Sequence, residues 1–186
     1  MKIAVTGGIA SGKSEVMQLL RDMGKTTVDA DKINAKLLDS KPYIDKIRTL
    51  FPQTVTAGKV NKKALSEIVF NNPDKLAELN AVAHPAIINI LNNIKGDIFA
   101  EVPLLVESGM QHCFDKVVVV TAPLETRLDR VKARDGIEKE FAMKIVSSQA
   151  TDEQRLKHAD YVIDNSGGED ALKKQVEKLV SDLCGK

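Results

Sequence analysis

The chain has 186 residues, of which 43% are hydrophobic and 28% charged, a composition typical of a globular domain that folds without disulfides or structural metals. A net charge of +1 and an aromatic content of 4% argue against a nucleic-acid partner, which usually meets a basic excess or a base-stacking surface. The first apolar run is short, no apolar stretch approaches membrane length, and Cys113 and Cys184 share no motif spacing, so we expect a cytoplasmic protein with free thiols and no membrane contact.

The first predicted elements are a buried strand over residues 2–6 and a helix ending near Gly24, joined by the loop Gly7-Gly8-Ile9-Ala10-Ser11-Gly12-Lys13-Ser14. Two glycines separated by four residues and followed by Lys-Ser have the spacing of a phosphate-binding loop. Backbone N–H groups of such a loop cradle anionic oxygens at a helix N-terminus. We expect Lys13 to reach the β- and γ-phosphates of a nucleotide and Ser14 to hold Mg²⁺. A β-carbon at Ala10 fits easily if its φ is negative. An ordinary glycine-rich turn is the disfavoured alternative.

The second predicted strand, Thr26–Val28, is followed by Asp29-Ala30-Asp31. A carboxylate at the end of a strand can orient Mg²⁺ or accept a proton from an attacking hydroxyl. In the alternative interpretation, one aspartate caps the helix that starts near Lys32 and the other is solvated. We favour the functional interpretation and choose Asp31 as the base.

No clear buried strand is predicted between Ile33 and Ile94, which indicates a helical insertion of an acceptor-binding type. We expect a helix broken at Lys41-Pro42, a loop from Phe51-Pro52 to Gly58, and two further helices punctuated by Pro73 and by His84-Pro85. His84 can contact a substrate or begin a helix at a bend, and the dipeptide alone favours the bend.

Three more strands are predicted over Ile98–Val102, Val117–Thr121 and Tyr161–Ile163, which indicates an α/β fold with a largely parallel sheet. Glu101, at the end of the first of these, either positions a metal or an acceptor or is a solvated acid. The helix after Pro123 places Arg127, Arg130 and Arg134 on one face. We interpret this face as a lid over a triphosphate, and a solvated charged helix is the alternative.

These patterns favour a small-molecule kinase over a GTP-dependent switch. Guanine recognition in many switches uses Asn-Lys-x-Asp, whereas Asn61-Lys62-Lys63 is followed here by Ala64. The acid that would pair with the exocyclic amine of guanine is therefore missing. Another nucleoside- or nucleotide-type kinase stays open as an alternative from the residues alone.

The chain resembles the dephospho-coenzyme A kinase family over nearly its whole length. The motifs that carry the resemblance are the phosphate-binding loop from Thr6, Asp29-Ala30-Asp31, Ile68-Val69-Phe70, His84-Pro85, Pro103-Leu104-Leu105-Val106-Glu107, Arg130 with Arg134-Asp135, Gln149, and Ala159-Asp160-Tyr161-Val162-Ile163-Asp164-Asn165 followed by Gly167. The loop is shared by many families, whereas the later motifs in this order are selective. The resemblance implies ATP-dependent phosphorylation of the ribose 3′-hydroxyl of dephospho-coenzyme A, the last step of coenzyme A synthesis.

The resemblance also implies a domain organisation and site residues. The implied fold is a P-loop kinase core with a five-stranded parallel sheet, in which residues 1–32, 95–124 and 155–186 bind the nucleotide, residues 33–94 bind the acceptor and residues 125–154 form a lid. The implied catalytic residues are Asp31, Lys13 and Arg130. Residues 8–14, Arg130, Arg134 and Asn165 are expected to bind ATP, and Asp31, His84, Pro103, Leu104 and Glu107 the acceptor. ATP with Mg²⁺ at Ser14 and dephospho-coenzyme A are the expected partners, without an obligate protein partner.

Overall fold

The structure is a computed structural model that describes residues 1–70 and 72–185. Its main sheet has five strands in the order β2-β5-β1-β6-β7: β1 (Lys2–Thr6), β2 (Thr26–Asp29), β5 (Ile98–Glu101), β6 (Lys116–Thr121) and β7 (Tyr161–Asp164). The central strand β1 pairs in parallel with β5 and β6, and β7 continues the sheet in parallel beyond β6. A short antiparallel hairpin consists of β3 (Val55–Thr56) and β4 (Lys59–Val60).

Helices connect the strands in the alternating order that a parallel sheet requires. They are α1 (Lys13–Asp22), α2 (Ala30–Leu37), α3 (Lys41–Leu50), α4 (Lys62–Phe70), α5 (Pro73–Asn92), α6 (Leu124–Asp135), α7 (Lys139–Ser147), α8 (Asp152–Leu156) and α9 (Glu169–Cys184). Short 3₁₀ helices cover Pro52–Thr54 and Met110–Cys113. Among residues 1–70 and 72–185, no helix combines the length and apolar character needed to cross a membrane.

The predicted α/β class and the five parallel strands are confirmed, and each strand boundary agrees to within one residue. Continuous apolar runs made β1, β5 and β6 easy to predict, because the inner strands of a parallel sheet are buried on both faces. The edge strands β2 and β7 are only partly buried. Ile3, Val5, Val118 and Val120 are fully buried in the sheet, and they pack in one cluster with side chains of α1 and α9.

The helical insertion differs from the prediction in three details. One continuous helix, α5, runs through Pro85, whereas two helices separated at His84-Pro85 were expected. Buried Ala83, Ile87 and Leu91 keep helical spacing on both sides of Pro85, so packing outweighs the missing N–H of the proline. The expected loop before Gly58 contains a 3₁₀ turn and the strand β3. Pro42 lies in the first turn of α3, so the helix is interrupted before Lys41-Pro42 and not at it.

The described chain divides into two compact units. One consists of Met1–Val28 and Gly96–Lys186 and contains the phosphate-binding loop. The other is Asp29–Lys95, whose core includes Tyr43, Ile47 and Phe51. Residues 125–154, the expected lid, belong to the first unit.

Candidate active site

The loop between β1 and α1 depends on glycine at two positions. Gly7 has a φ of 155° and Gly12 a φ of 99°, a region that side chains with a β-carbon rarely adopt. A β-carbon on Gly7 would lie 2.3 Å from the carbonyl oxygen of Val120, and one on Gly12 would lie 1.9 Å from the Asn165 side-chain nitrogen. The two glycines therefore permit both the backbone turn and its close packing against the sheet.

Ala10 adopts a φ of 56°, in the left-handed region. Its β-carbon was expected to fit easily only if φ were negative, whereas the observed φ is positive. A left-handed alanine costs roughly 1–2 kcal/mol. Ala10 and Ile9 pack against the cluster formed by Leu128, Val131 and Ala142 on α6 and α7, and this burial offsets part of the cost.

Side chains hold the five successive carbonyl groups of residues 7–11 in the loop. The donors are Lys13 Nζ to Gly7 and Gly8 at 2.9 and 3.0 Å, Arg127 Nε to Ile9 at 2.9 Å, Arg130 to Ala10 at 3.4 Å, and Asn165 Nδ2 to Ser11 at 3.0 Å. With its carbonyls fixed in this way, the loop can direct N–H groups toward an anion. The first N–H groups of α1 lack intrahelical acceptors, and they add to the same anion-binding surface.

A cavity of about 680 Å³ opens in front of the loop within the first unit. Predicted residues from three parts of the chain line it: the loop itself, Pro103 after β5, and Arg130 and Arg134 on α6. Glu101 and Gln149 also line it. The structure thus brings the loop and the cationic side chains of Lys13, Arg130 and Arg134 to one cavity, which is large enough for a polyphosphate.

Burial lowers the pKa of Lys13 from 10.5 to about 8. Glu101 counters this shift by attraction, while the positive charges of Arg155, Arg127 and Arg134 reinforce it. Desolvation disfavours the ammonium form, so an anion in the cavity would restore that form. Lys13 is therefore prepared for a negatively charged ligand.

Ser14 and Glu101 form an oxygen-rich corner of the cavity. Ser14 Oγ lies 3.5 Å from Glu101 Oε1, and both residues line the cavity. Among residues 1–70 and 72–185, no group of three or more His, Cys, Asp or Glu side chains is arranged to hold a metal. Magnesium in nucleotide sites typically uses only one or two protein oxygens together with phosphates, so the pair fits Mg²⁺.

The three arginines predicted on one face of α6 have different surroundings. Arg134 is largely exposed and pairs with Asp135 at 2.7 Å. Arg130 donates to the carbonyls of Ala10 and Asn165 at 3.4 and 3.2 Å. Arg127 is only 4% exposed and pairs with Asp152 at 3.1 Å. Arg127 therefore supports the loop, whereas the sequence predicted that it would be part of the lid.

Other predicted residues lie behind or beside the loop. Asn165 is buried, and its amide contacts Ser11 and Glu15 at 3.0 and 3.1 Å. Glu107 accepts from the Ala150 N–H at 2.7 Å and from Arg155 at 3.0 Å. Leu104 is half exposed. Contacts of these residues with ATP or an acceptor stay predictions.

Asp31 and His84 belong to the second unit. Asp29 is the N-cap of α2 and accepts from the Lys32 N–H at 3.0 Å, as the capping alternative anticipated for one of the two aspartates. Asp31 lies in the first turn of α2 and is exposed. His84 lies within α5. Asp31 remains the candidate base, because the other aspartate has a structural role.

Sequence reasoning missed two charged residues near the loop, Asp152 and Arg155. Arg155 is 1% exposed and pairs with Asp152 and Glu107 at 3.1 and 3.0 Å. Thr151 and Gln154 form a capping box that starts α8, and this Thr-x-x-Gln spacing was the available signal for the helix. The burial of Arg155 has no comparable signal in the sequence.

Comparisons with known proteins identify the family of the chain. Residues 1–171 match the sequence profile of the dephospho-CoA kinase family. A dephospho-CoA kinase from Fusobacterium nucleatum is 40% identical over 190 residues, which cover 98% of each chain. A crystal structure from Thermus thermophilus has a TM-score of 0.81 at 33% sequence identity. A dephospho-CoA kinase structure from Campylobacter jejuni has a TM-score of 0.68 at 30% sequence identity. Each comparison covers 100% of this chain and 98% of the other. The profile match and these near-full-length relatives show that the chain belongs to the dephospho-CoA kinase family.

Proposed function

We propose that the loop at residues 7–14 binds the triphosphate of ATP while Asp31 accepts the proton of the attacking hydroxyl. The chain is a kinase of its family, whose reaction is ATP-dependent phosphorylation of dephospho-coenzyme A to coenzyme A, the final step of that synthesis. The observation that carries the proposal is the cavity in front of the loop, lined by Lys13, Arg130 and Arg134.

Phosphoryl transfer in this site depends mainly on positioning and charge. An oxygen of the acceptor forms a bond to the γ-phosphorus as the bond to the β,γ-bridging oxygen breaks, and ADP leaves. Lys13 and the loop N–H groups hold the phosphates, and Arg130 stabilises the charge that develops in the transition state. Asp31 takes the hydroxyl proton, so the ribose oxygen becomes a better nucleophile.

Magnesium is the expected cofactor of this reaction. Ser14 would hold it through its hydroxyl oxygen, with Glu101 as the adjacent carboxylate. The ion would neutralise charge on the β- and γ-phosphates. Supporting this assignment, both side chains present hard oxygen ligands at the cavity wall.

The remaining roles follow from the same proposal. The helical unit Asp29–Lys95 would bind the acceptor and supplies Asp31 and His84. Pro103, Leu104 and Glu107 stay predicted acceptor-binding residues. Residues 125–154 would act as the lid, from which Arg130 and Arg134 contact the nucleotide. A cytoplasmic location, and the lack of nucleic-acid, membrane and obligate protein partners, stay predictions from composition.

Product analysis tests the function directly. Mixing the protein with Mg·ATP and dephospho-coenzyme A should yield coenzyme A, identified by a mass increase of one phosphoryl group on the acceptor. A parallel reaction with adenosine or another nucleoside as acceptor tests the alternative kinase. Phosphorylation of that nucleoside in preference to dephospho-coenzyme A would reject the proposed acceptor, and GTP hydrolysis without transfer would favour a switch.

Nucleotide binding should be coupled to proton uptake near pH 8.5. The free Lys13 has a pKa of about 8, and a bound triphosphate raises that pKa, so the ammonium form is restored on binding. At pH 8.5 roughly 0.7 proton per nucleotide should be taken up, and roughly 0.1 at pH 7. Titration calorimetry in two buffers with different ionisation enthalpies measures this uptake. Identical enthalpies in both buffers at pH 8.5 would contradict the proposed role of Lys13.

A further inference from the structure

Both backbone polar groups of Ile9, in the loop, are held by residues that are distant in sequence. Its N–H donates to Gln149 Oε1 at 2.9 Å, and its carbonyl accepts from Arg127 Nε at 2.9 Å. The Arg127 guanidinium also fills the space beside Gly8, where a β-carbon would lie 2.2 Å from one of its nitrogens. Arg127 therefore determines where the Gly8–Ile9 segment can lie.

Arg127 is itself part of a chain of four charged side chains. Its guanidinium pairs with one oxygen of Asp152 at 3.1 Å, and the other oxygen of Asp152 pairs with Arg155 at 3.1 Å. Arg155 continues to Glu107 at 3.0 Å. Arg127 and Arg155 are 4% and 1% exposed, whereas the carboxylates of Asp152 and Glu107 are partly exposed, so water screens these contacts only in part. Two positive and two negative charges balance along the chain.

We propose that Arg127 is a positioning residue that holds the Gly8–Ile9 turn in its anion-binding conformation, with Asp152, Arg155 and Glu107 fixing the arginine in turn. The inference rests on the function proposed above. A planar guanidinium suits this role, because one fork can donate to a carbonyl and a carboxylate at once. A lysine in its place keeps the charge but lacks the fixed fork that matches both acceptors.

The test compares Arg127→Met and Arg127→Lys with the control Lys174→Met, which removes an exposed cation of α9 in the same unit. Arg127→Met should raise the Kd and KM for ATP by roughly ten- to a hundredfold, and Arg127→Lys by less. The KM for dephospho-coenzyme A should stay within about twofold, and the control should match the parent protein throughout.

The melting temperature separates positioning from simple stabilisation. A purely structural Arg127 would lower the melting temperature and leave the Kd for ATP of the folded protein unchanged, and that result would overturn the proposal. If Arg127→Met does not fold, the Kd for ATP and the melting temperature of Arg127→Lys and Asp152→Asn distinguish the two roles in the same way. ATP binding is measured without the acceptor, so it still decides the role of Arg127 if the parent protein makes no coenzyme A. A parent protein that binds no ATP would overturn both proposals.

A double-mutant cycle with Gly8→Ala gives an independent test. The added methyl group should displace the Arg127 guanidinium, so Gly8→Ala alone should weaken ATP binding about as much as Arg127→Met. Combining the two changes should then cost no more than the larger single effect, because both disrupt the same contact. Additive losses would show that Gly8 and Arg127 act separately, and would contradict the proposed positioning.

Discussion

Replacing Lys13 with alanine is expected to lower kcat by roughly 10²–10³-fold, the usual loss when one donor to developing transition-state charge is removed. The ammonium group lines the cavity and, in the structure, donates to the carbonyls of Gly7 and Gly8. Burial has already lowered its pKa to about 8, so much of its hydration is lost before any ligand binds. The charge therefore interacts strongly with a triphosphate.

Lys174→Ala is a suitable control, because Lys174 is an exposed residue of α9 within the same unit. Steady-state kinetics with Mg·ATP and dephospho-coenzyme A should show the loss in kcat for Lys13→Ala and no change for Lys174→Ala. The proton uptake at pH 8.5 should disappear together with the activity. Retention of kcat in Lys13→Ala would be incompatible with a phosphate-binding role of the loop.

The features of this protein that depend on local pattern could be predicted from the sequence. The loop with Gly7, Gly12 and Lys13 has a fixed spacing, and the run Val117–Val120 is unmistakable as a buried strand. The spacing of the loop depends on residues close in the chain, and the apolar run depends on the burial of the whole strand. The strand order β2-β5-β1-β6-β7 was not predicted, although it obeys the general rules for connecting parallel strands.

The support that residues of later elements give to the loop could not be predicted, because it depends on contacts between residues more than a hundred positions apart. Arg127 looked like a solvent-facing or lid residue on an arginine-rich helix, yet it is buried against the Ile9 carbonyl, 118 residues away in sequence. Nothing in the sequence indicated that Arg155 is buried. A buried arginine requires acceptors from several elements, and only the tertiary structure shows which ones it has. The positive φ of Ala10 and its packing against α6 and α7 likewise had no signal in the sequence.

Pro85 illustrates the opposite error, in which a strong local signal is overruled. A proline inside a helix removes one hydrogen bond and normally ends or kinks the helix, so a break at His84-Pro85 was a reasonable expectation. In α5 the buried residues Ala83 and Ile87 on either side keep the helix continuous. His84 consequently lies on the body of a helix, a more rigid platform for a substrate contact than the expected bend.

Replacing Asp31 with asparagine should remove the base and leave the phosphate-binding residues intact. We expect kcat to fall by roughly 10²–10⁴-fold, the range for loss of a general base, while the Kd for ATP changes by less than about threefold. The structural basis is the division of roles in Asp29-Ala30-Asp31. Asp29 caps α2, whereas Asp31 is exposed in its first turn, so its carboxylate is accessible to an acceptor hydroxyl.

Asp29→Asn is the matched control, since asparagine caps a helix about as well as aspartate does. Its turnover should stay close to that of the parent protein, and its melting temperature should confirm that α2 is intact. The reverse pattern, with turnover lost in Asp29→Asn and kept in Asp31→Asn, would transfer the base to Asp29. Normal turnover in both variants would exclude a carboxylate base from this segment and leave transition-state charge stabilisation by Lys13 and Arg130 as the main source of catalysis.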